Sequence, residues 1–235
     1  MQQNHPVLVI GGGAIGSAIA AEFAKRGRSV FLASRHETKL QGVTGLVVND
    51  WSEAQLQRVA KDLPNLSAIV VATGLLHDEA HGIAPEKALG DITPEAMTKI
   101  MQVNAVFPAL CSKVFLPKLD AESLSVMAIL SARVGSISDN RLGGWYSYRM
   151  SKAAVNMFVK TASIELVRKN KQAALVGLHP GTVDSALSEP FQRNVPEGKL
   201  FTPEYSAEKL VDVMLAVTPE HTGKCYDYAG DEVQP

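Results

Sequence analysis

Tyr148 and Lys152 stand four residues apart in the run Tyr148-Arg149-Met150-Ser151-Lys152. On a helix that spacing puts both side chains on one face. A phenol with a pKa of about 10 is a poor base at neutral pH. A neighbouring ammonium favours the phenolate and draws that pKa toward the working range. Such a pair would give a proton to a carbonyl oxygen as hydride arrives there, and would take the proton from an alcohol in reverse. Tyr146 has Met150 at the same offset, which offers no charge, so it reads as packing or as a pocket wall. The tyrosine-lysine spacing is frequent by chance, and its meaning depends on the elements around it.

Hydride chemistry needs a dinucleotide, and the start of the chain has the means to hold one. The apolar run Val7–Ile10 leads into Gly11-Gly12-Gly13-Ala14-Ile15-Gly16, a GxGxxG turn formed by Gly11, Gly13 and Gly16. A strand precedes it and a helix follows, which is the context the motif requires. Gly11 permits the tight turn, Gly13 lets a pyrophosphate approach the backbone, and Gly16 lets the helix pack on the strand. The N–H groups of the helix start, at Ala14 and Ile15, would face the phosphates. The second strand ends Leu32-Ala33-Ser34-Arg35-His36, with no acid before Glu37 to bind a ribose 2′-hydroxyl. Arg35 would pair with a 2′-phosphate and Ser34 would donate a hydrogen bond to it, so the expected cofactor is NADP(H).

Around these residues, strands alternate with helices. Strands are expected at residues 7–10, 30–33, 46–48, 68–71, 124–130, 174–178 and 225–228, and helices at 14–26, 52–61, 146–169 and 203–216. Ser52 and Thr93 read as helix N-caps, and Pro94 as the first helical residue after Thr93. Pro108 should kink or divide the helical region that Thr93 opens. Residues 73–91 and 181–202 read as loops, broken by glycine and proline. Alternation of this kind implies parallel βαβ units. The expected fold is α/β, a single-domain Rossmann fold over residues 1–235, with a doubly wound parallel sheet of about seven strands flanked by helices.

Bulk properties agree. The 235 residues are 46% hydrophobic and 20% charged, with a formal net charge of −1, a globular balance with no field to favour nucleic acid or an anionic membrane. The two cysteines, Cys111 and Cys225, lie far apart and outside any zinc-type spacing. Val7–Ile10 runs into glycines and not a cleavage site, and no stretch reads as a membrane span of ~20 apolar residues. A cytoplasmic location is therefore expected.

In order along the chain, the glycine turn, Asn104 in a mid-chain helix, Ser131 after the fifth strand, Tyr148 with Lys152, and Pro180-Gly181-Thr182 resemble the short-chain dehydrogenase/reductase family. The resemblance covers nearly the whole chain. The stretch Ser131-Ala132-Arg133-Val134-Gly135-Ser136-Ile137, continuing through Gly144-Trp145-Tyr146-Ser147-Tyr148-Arg149, is similar to the branch of C-factor-like and sniffer-like carbonyl reductases. The resemblance implies that Lys152 also holds the nicotinamide ribose. It implies that Asn104 sits in a helix whose backbone holds a water relaying protons to Lys152. Pro180, Gly181, Thr182 and Val183 would meet the nicotinamide carboxamide, Asp50 the adenine, and Ala72, Thr73 and Gly74 the cofactor at the end of the fourth strand. Residues 185–200 would be a mobile loop over the substrate. A homo-oligomer, dimer or tetramer, is implied through the helix of the tyrosine, on which Ala153, Ala154, Met157 and Phe158 offer small and apolar contacts.

The sequence departs from the family pattern in three places. Ala132 stands where the family usually has serine. Ser131 or Ser136 would supply the hydroxyl, with Ser131 preferred. Ala72-Thr73-Gly74 replaces the commoner Asn-Ala-Gly, and the glycine turn is one residue short. His77 and His81 share a metal-like spacing but lack a third ligand, and His179 reads as a packed or hydrogen-bonded residue. The loops carry Leu75, Leu76, Leu187, Phe191 and Val195, so the expected substrate is a small to medium carbonyl or alcohol compound, apolar or aromatic. The reading is an NADP(H)-dependent oxidoreductase with Tyr148 as acid/base and Lys152 assisting. The alternative is a dinucleotide-binding sensor with little turnover, favoured by Ala132 and Ala72.

Overall fold

The computed structural model describes residues 5–235. Its centre is a run of strands with every residue buried: β1 (Val7–Ile10), β4 (Ala68–Val71) and β5 (Ser125–Leu130). Strands covered on both faces are apolar at every position, which is why these three read directly from the sequence. Val7 and Val9 face one core, with α1 (Ala14–Lys25) and α6 (Pro203–Ala216) above it. Leu8 and Ile10 face the other, covered by α2 (Glu53–Asp62), α4 (Phe107–Phe115) and α5 (Tyr146–Lys169). Helices on both faces make the sheet doubly wound, as expected.

Adding β2 (Val30–Ser34), β3 (Val43–Val47), β6 (Ala173–His179) and β9 (Cys225–Asp227) gives one parallel seven-stranded sheet in the order β3-β2-β1-β4-β5-β6-β9. The chain leaves β1 toward β2 on one side, then returns to place β4 on the other. That reversal opens a crevice at the carboxyl ends of β1 and β4, where ligands bind in such sheets. The glycine turn follows β1 and Ala72-Thr73-Gly74 follows β4, so both flank the crevice.

Three expectations need correction. The third strand is Val43–Val47, not 46–48. It is the sheet's edge, half exposed and interrupted by Gly45, so it lacks the apolar run that marks a buried strand. Residues 181–202 are not plain loop. β7 (Thr182–Val183) and β8 (Leu200–Phe201) pair in parallel, with a 3-10 turn, Glu189–Asn194, between them. Finally, α3 (Pro94–Met101), a π turn (Gln102–Val106), α4 and a short 3-10 turn form one helical run, Pro94–Lys118. At 25 residues it is long and apolar enough to cross a membrane by length and composition, although no such stretch was expected. Here it packs against the sheet and against α5. Thr93 caps it as expected, through the Ala96 N–H. The helix is wound differently just before Pro108, which has no N–H to offer the Asn104 carbonyl four residues back.

Candidate active site

The glycine turn is built by close approaches. Gly11 has φ +112°, and a Cβ there would lie 2.7 Å from the Ala72 carbonyl oxygen. A Cβ on Gly16 would fall 1.9 Å from the Gly11 oxygen. These two glycines are demanded by the protein's own packing. Gly13 is different: a Cβ there meets nothing within 4 Å. It is the N-cap of α1, no side chain caps that helix, and the first turn holds no acid, so the Ala14 and Ile15 end keeps its positive dipole. Thr73, beside Gly11, has a buried hydroxyl oxygen with no hydrogen-bond partner among the described residues. Open space at Gly13, an uncapped helix start and an unsatisfied hydroxyl suit a dinucleotide phosphate.

At the end of β2, Arg35 is exposed and has no ion-pair partner among the described residues. The Ser34 hydroxyl is buried and donates to the His36 carbonyl, so it is not presented beside Arg35. Asp50 is exposed and accepts from the Ser52 N–H at 2.9 Å, at the start of α2.

Tyr148 and Lys152 lie in the first turns of α5 and are both buried, the lysine to 2% exposure. The Lys152 Nζ is 5.6 Å from the centre of the Tyr148 ring, so the spacing does place them together. The ammonium donates to the Leu130 carbonyl, at the end of β5, at 2.9 Å. The 3-10 turn Arg133–Gly135 presses α5 inward, and a Cβ on Gly135 would sit 2.7 Å from the Lys152 carbonyl carbon. Burial pushes the Lys152 ammonium down to about 8 and the Tyr148 phenol up to about 12. The phenol's direction is opposite to the sequence expectation. Desolvation penalises the phenolate, while the nearby ammonium spends a hydrogen bond on a main-chain oxygen. At neutral pH the pair is thus a protonated phenol beside an ammonium.

Asn104 is wholly buried in the π turn, and its amide serves both backbone groups of Leu75. Its Nδ2 donates to the Leu75 oxygen at 2.8 Å and its Oδ1 accepts from the Leu75 N–H at 2.7 Å. Nδ2 also donates to the Ser151 hydroxyl at 3.0 Å, which in turn donates to the Tyr148 carbonyl at 2.8 Å. A polar chain therefore runs from the segment after β4 to the tyrosine's own backbone. A Cβ on Gly74 would lie 3.9 Å from both Asn104 Oδ1 and Lys152 Nζ, so Gly74, Asn104 and Lys152 share one wall.

The two candidate serines are both engaged. Ser131 donates at 2.6 Å to Asn156 Oδ1, which also receives the Cys225 thiol at 3.2 Å. The Ser136 hydroxyl accepts the Asp139 N–H at 3.1 Å and lies 3.4 Å from the Ser138 hydroxyl. After β6, the Pro180 carbonyl accepts the Ser206 hydroxyl at 2.8 Å. Gly181 has φ +78°, and a Cβ there would strike the Phe201 ring at 2.6 Å, while Thr182 and Val183 form β7. Burial pushes His179 down to about 4, so its ring is neutral at pH 7, and its buried Nδ1 has no hydrogen-bond partner among the described residues.

An aromatic cover was only partly legible. Trp145 meets the Tyr148 ring edge-on at 6.2 Å and the Phe191 ring at 5.1 Å, and Phe191 meets His77 at 5.7 Å. The His77 Nε2 is 2.9 Å from the Ala186 carbonyl, while His81 turns to Asp78 at 2.7 Å. The sequence offered Phe191 as a loop residue beside the pocket but gave no sign that Trp145 meets it, or that His77 joins them from a loop over a hundred positions earlier than Phe191. Ser151 and Asn156 were missed altogether, since single polar residues in helices carry no pattern.

The family model for short chain dehydrogenase matches residues 5–196. The C-signal protein of Myxococcus xanthus is 36% identical over 146 residues, 62% of this chain and 82% of that protein. The 1-hydroxy-2-glutathionyl-2-methyl-3-butene dehydrogenase of Rhodococcus sp. (strain AD45) is 29% identical over 222 residues, 93% of this chain and 94% of that one. Among solved structures, the carbonyl reductase Sniffer of D. melanogaster has a TM-score of 0.83 at 18% identity, covering 98% of this chain and 99% of its own. An NADPH-bound carbonyl reductase from chicken fatty liver has the same TM-score of 0.83 at 19% identity, covering 100% and 96%. At such identities these two structures speak for the fold.

The glycines separate by substitution. Gly16→Ala should lower Tm, because overpacking of this kind costs about 1–3 kcal/mol. Gly13→Ala should leave Tm within about 1 °C while weakening NADPH binding by at least about tenfold, read by cofactor fluorescence. Unchanged binding in a folded Gly13→Ala protein would remove the phosphate role from this turn.

Proposed function

This chain belongs to the short chain dehydrogenase family, and on that premise we propose that it is an NADP(H)-dependent oxidoreductase acting on a carbonyl or alcohol, with Tyr148 as acid/base. The observation that carries the proposal is the buried Tyr148 phenol with the Lys152 ammonium 5.6 Å from its ring, sharing a wall with Gly74 and Asn104. The match to C-signal agrees with the C-factor-like resemblance of residues 131–149.

Bound NADPH would supply the hydride. Gly11, Gly13, Ala14, Ile15 and Gly16 would take its phosphates, with Thr73 beside them, and Arg35 its 2′-phosphate. Pro180 to Val183, Lys152 and the unsatisfied His179 Nδ1 would lie toward its nicotinamide half. Tyr148 donates its phenolic proton to the substrate oxygen. The Lys152 ammonium lowers the energy of the phenolate left behind, in a site from which water is largely excluded. Asn104, through Ser151, keeps the tyrosine's backbone in register with the segment after β4. The Trp145, Phe191 and His77 cover favours a flat, apolar or aromatic carbonyl compound, since edge-on ring contacts reward aromatic neighbours.

A second reading, a dinucleotide-binding sensor with little turnover, has one specific support. Ser131 spends its proton on Asn156 and Ala132 has no hydroxyl, so the serine preferred from sequence is not a free second donor to the substrate oxygen. One experiment separates the readings. NADPH oxidation with a panel of aldehydes, ketones and quinones should fall by at least about a hundredfold in Tyr148→Phe, with NADPH affinity unchanged. Equal rates in the two proteins would favour the sensor.

The pH dependence follows from the same pair. Tyr148 keeps its proton to about 12, whereas Lys152 loses its charge through about 8. Reductive kcat should therefore be level below pH 8 and decline above it; a rate that climbs through pH 8 to 10 would contradict the assignment.

Cofactor choice rests on Arg35. Arg35→Ser should raise KM for NADPH about tenfold and leave KM for NADH within about twofold. Native preference for NADH would overturn this role.

Self-association is proposed through the outer face of α5. Met150, Met157 and Ile164, at seven-residue spacing, are 51%, 67% and 50% exposed. Sedimentation should give a dimer or tetramer, and Met157→Glu should shift it toward monomer; a monomeric native chain would discard this face.

A further inference from the structure

Glu86 is a carboxylate at 2% exposure in the loop between β4 and α3, and the chemistry above makes no use of it. Its side chain reaches the start of α5. One carboxylate oxygen accepts the Ser147 N–H at 3.2 Å, and the other accepts the Ser147 hydroxyl. Its main-chain oxygen accepts the Trp145 N–H at 2.6 Å.

The start of α5 needs such help. Gly143, Gly144 and Trp145 have φ +64°, +63° and +52°, consecutive left-handed residues, and Trp145 alone among described non-glycine residues has positive φ. No side chain within α5 caps it, and its first turn holds no acid. First-turn N–H groups have no partner inside their own helix, so this turn is the one that frays. Tyr148 is the third residue of α5. The carbonyls of the left-handed turn are taken from the other side by Arg149, which donates to Gly144 at 3.0 Å, Gly143 at 3.2 Å and Val134 at 3.3 Å. The turn is thus gripped between a carboxylate on its N–H side and a guanidinium on its carbonyl side.

We propose that Glu86 is a positioning residue that caps α5 from the preceding loop and holds the left-handed turn at Trp145, thereby fixing where the Tyr148 phenol and the Trp145 indole stand. The catalytic part of this inference rests on the reading of Tyr148 as proton donor; the positional part does not. Glu86 touches neither reacting atom and acts through Ser147 and Trp145. A carboxylate here also meets the positive end of the helix dipole, which a neutral residue would not.

The test uses Trp145 as its own reporter. The chain has two tryptophans, so Trp51→Phe leaves Trp145 alone to fluoresce. In that background Glu86→Ala should raise acrylamide quenching of Trp145 at least about twofold and lower kcat about tenfold, with NADPH affinity within about twofold, because small misplacements of a reacting group cost rate steeply. Glu86→Gln, which retains an oxygen for the Ser147 N–H, should restore low quenching and most of kcat. If Glu86→Ala does not fold, Arg149→Met opens the same turn from its other side and carries the same expectation. Unchanged Trp145 quenching in the variant that folds overturns the proposal, whatever the activity. Raised quenching in a protein whose Tyr148→Phe variant turns over normally would uphold the cap and overturn only the acid/base reading.

Discussion

Lys152 keeps an ammonium group where water hardly reaches, and its hydrogen bond goes to the carbonyl of Leu130, the last residue of β5. Removing an ammonium from water costs several kcal/mol unless something answers its charge. A carboxylate would answer it fully and cancel its field at Tyr148. A strand-end carbonyl answers it in part and leaves most of the charge in place. Much of the surrounding architecture meets this one constraint. β5 must end where it does, Gly135 must lack a side chain so that its turn can lie on α5, and the sheet's carboxyl edge must open toward the crevice. Burial is also what separates the two proton affinities, keeping the phenol protonated while the ammonium becomes labile.

The second organising element is the polar chain Leu75–Asn104–Ser151–Tyr148. It crosses from the segment after β4, through the π turn, into α5. The π turn Gln102–Val106, just before Pro108, sets where the Asn104 side chain points, which differs from its direction in a regular α-helix. The irregularity lies where two structural units are held in register, just before a residue that has no N–H to donate within the helix.

The sequence discloses what repeats. β1 and β4 were read to the residue, as continuous apolar runs, and α5 and α6 to the residue by their helical patterning. Tyr148 with Lys152 was legible because helical geometry converts spacing into proximity. β3 was displaced because an edge strand need not be apolar, and the β7–β8 pair was lost among glycines and prolines. Single contacts between distant segments carried no pattern. Ser131 turning to Asn156 and His77 to Ala186 depend on how loops and helices lie over the sheet. The phenol's proton affinity was misjudged for a related reason: the neighbour's charge is visible in sequence, but the depth of burial that outweighs it is not.

The sulfur atoms follow from the same packing. Cys111 and Cys225 sit where burial raises the thiol pKa, the latter to about 11, so little thiolate exists for an oxidant to attack. The thioethers of Met150 and Met157 instead stand in solvent on the outer face of α5. Peroxide would therefore reach methionine first, and a sulfoxide there would turn an apolar helix face polar without touching the buried phenol. Oxidative damage to this protein would register on the outer face of α5 before it reached the buried pair.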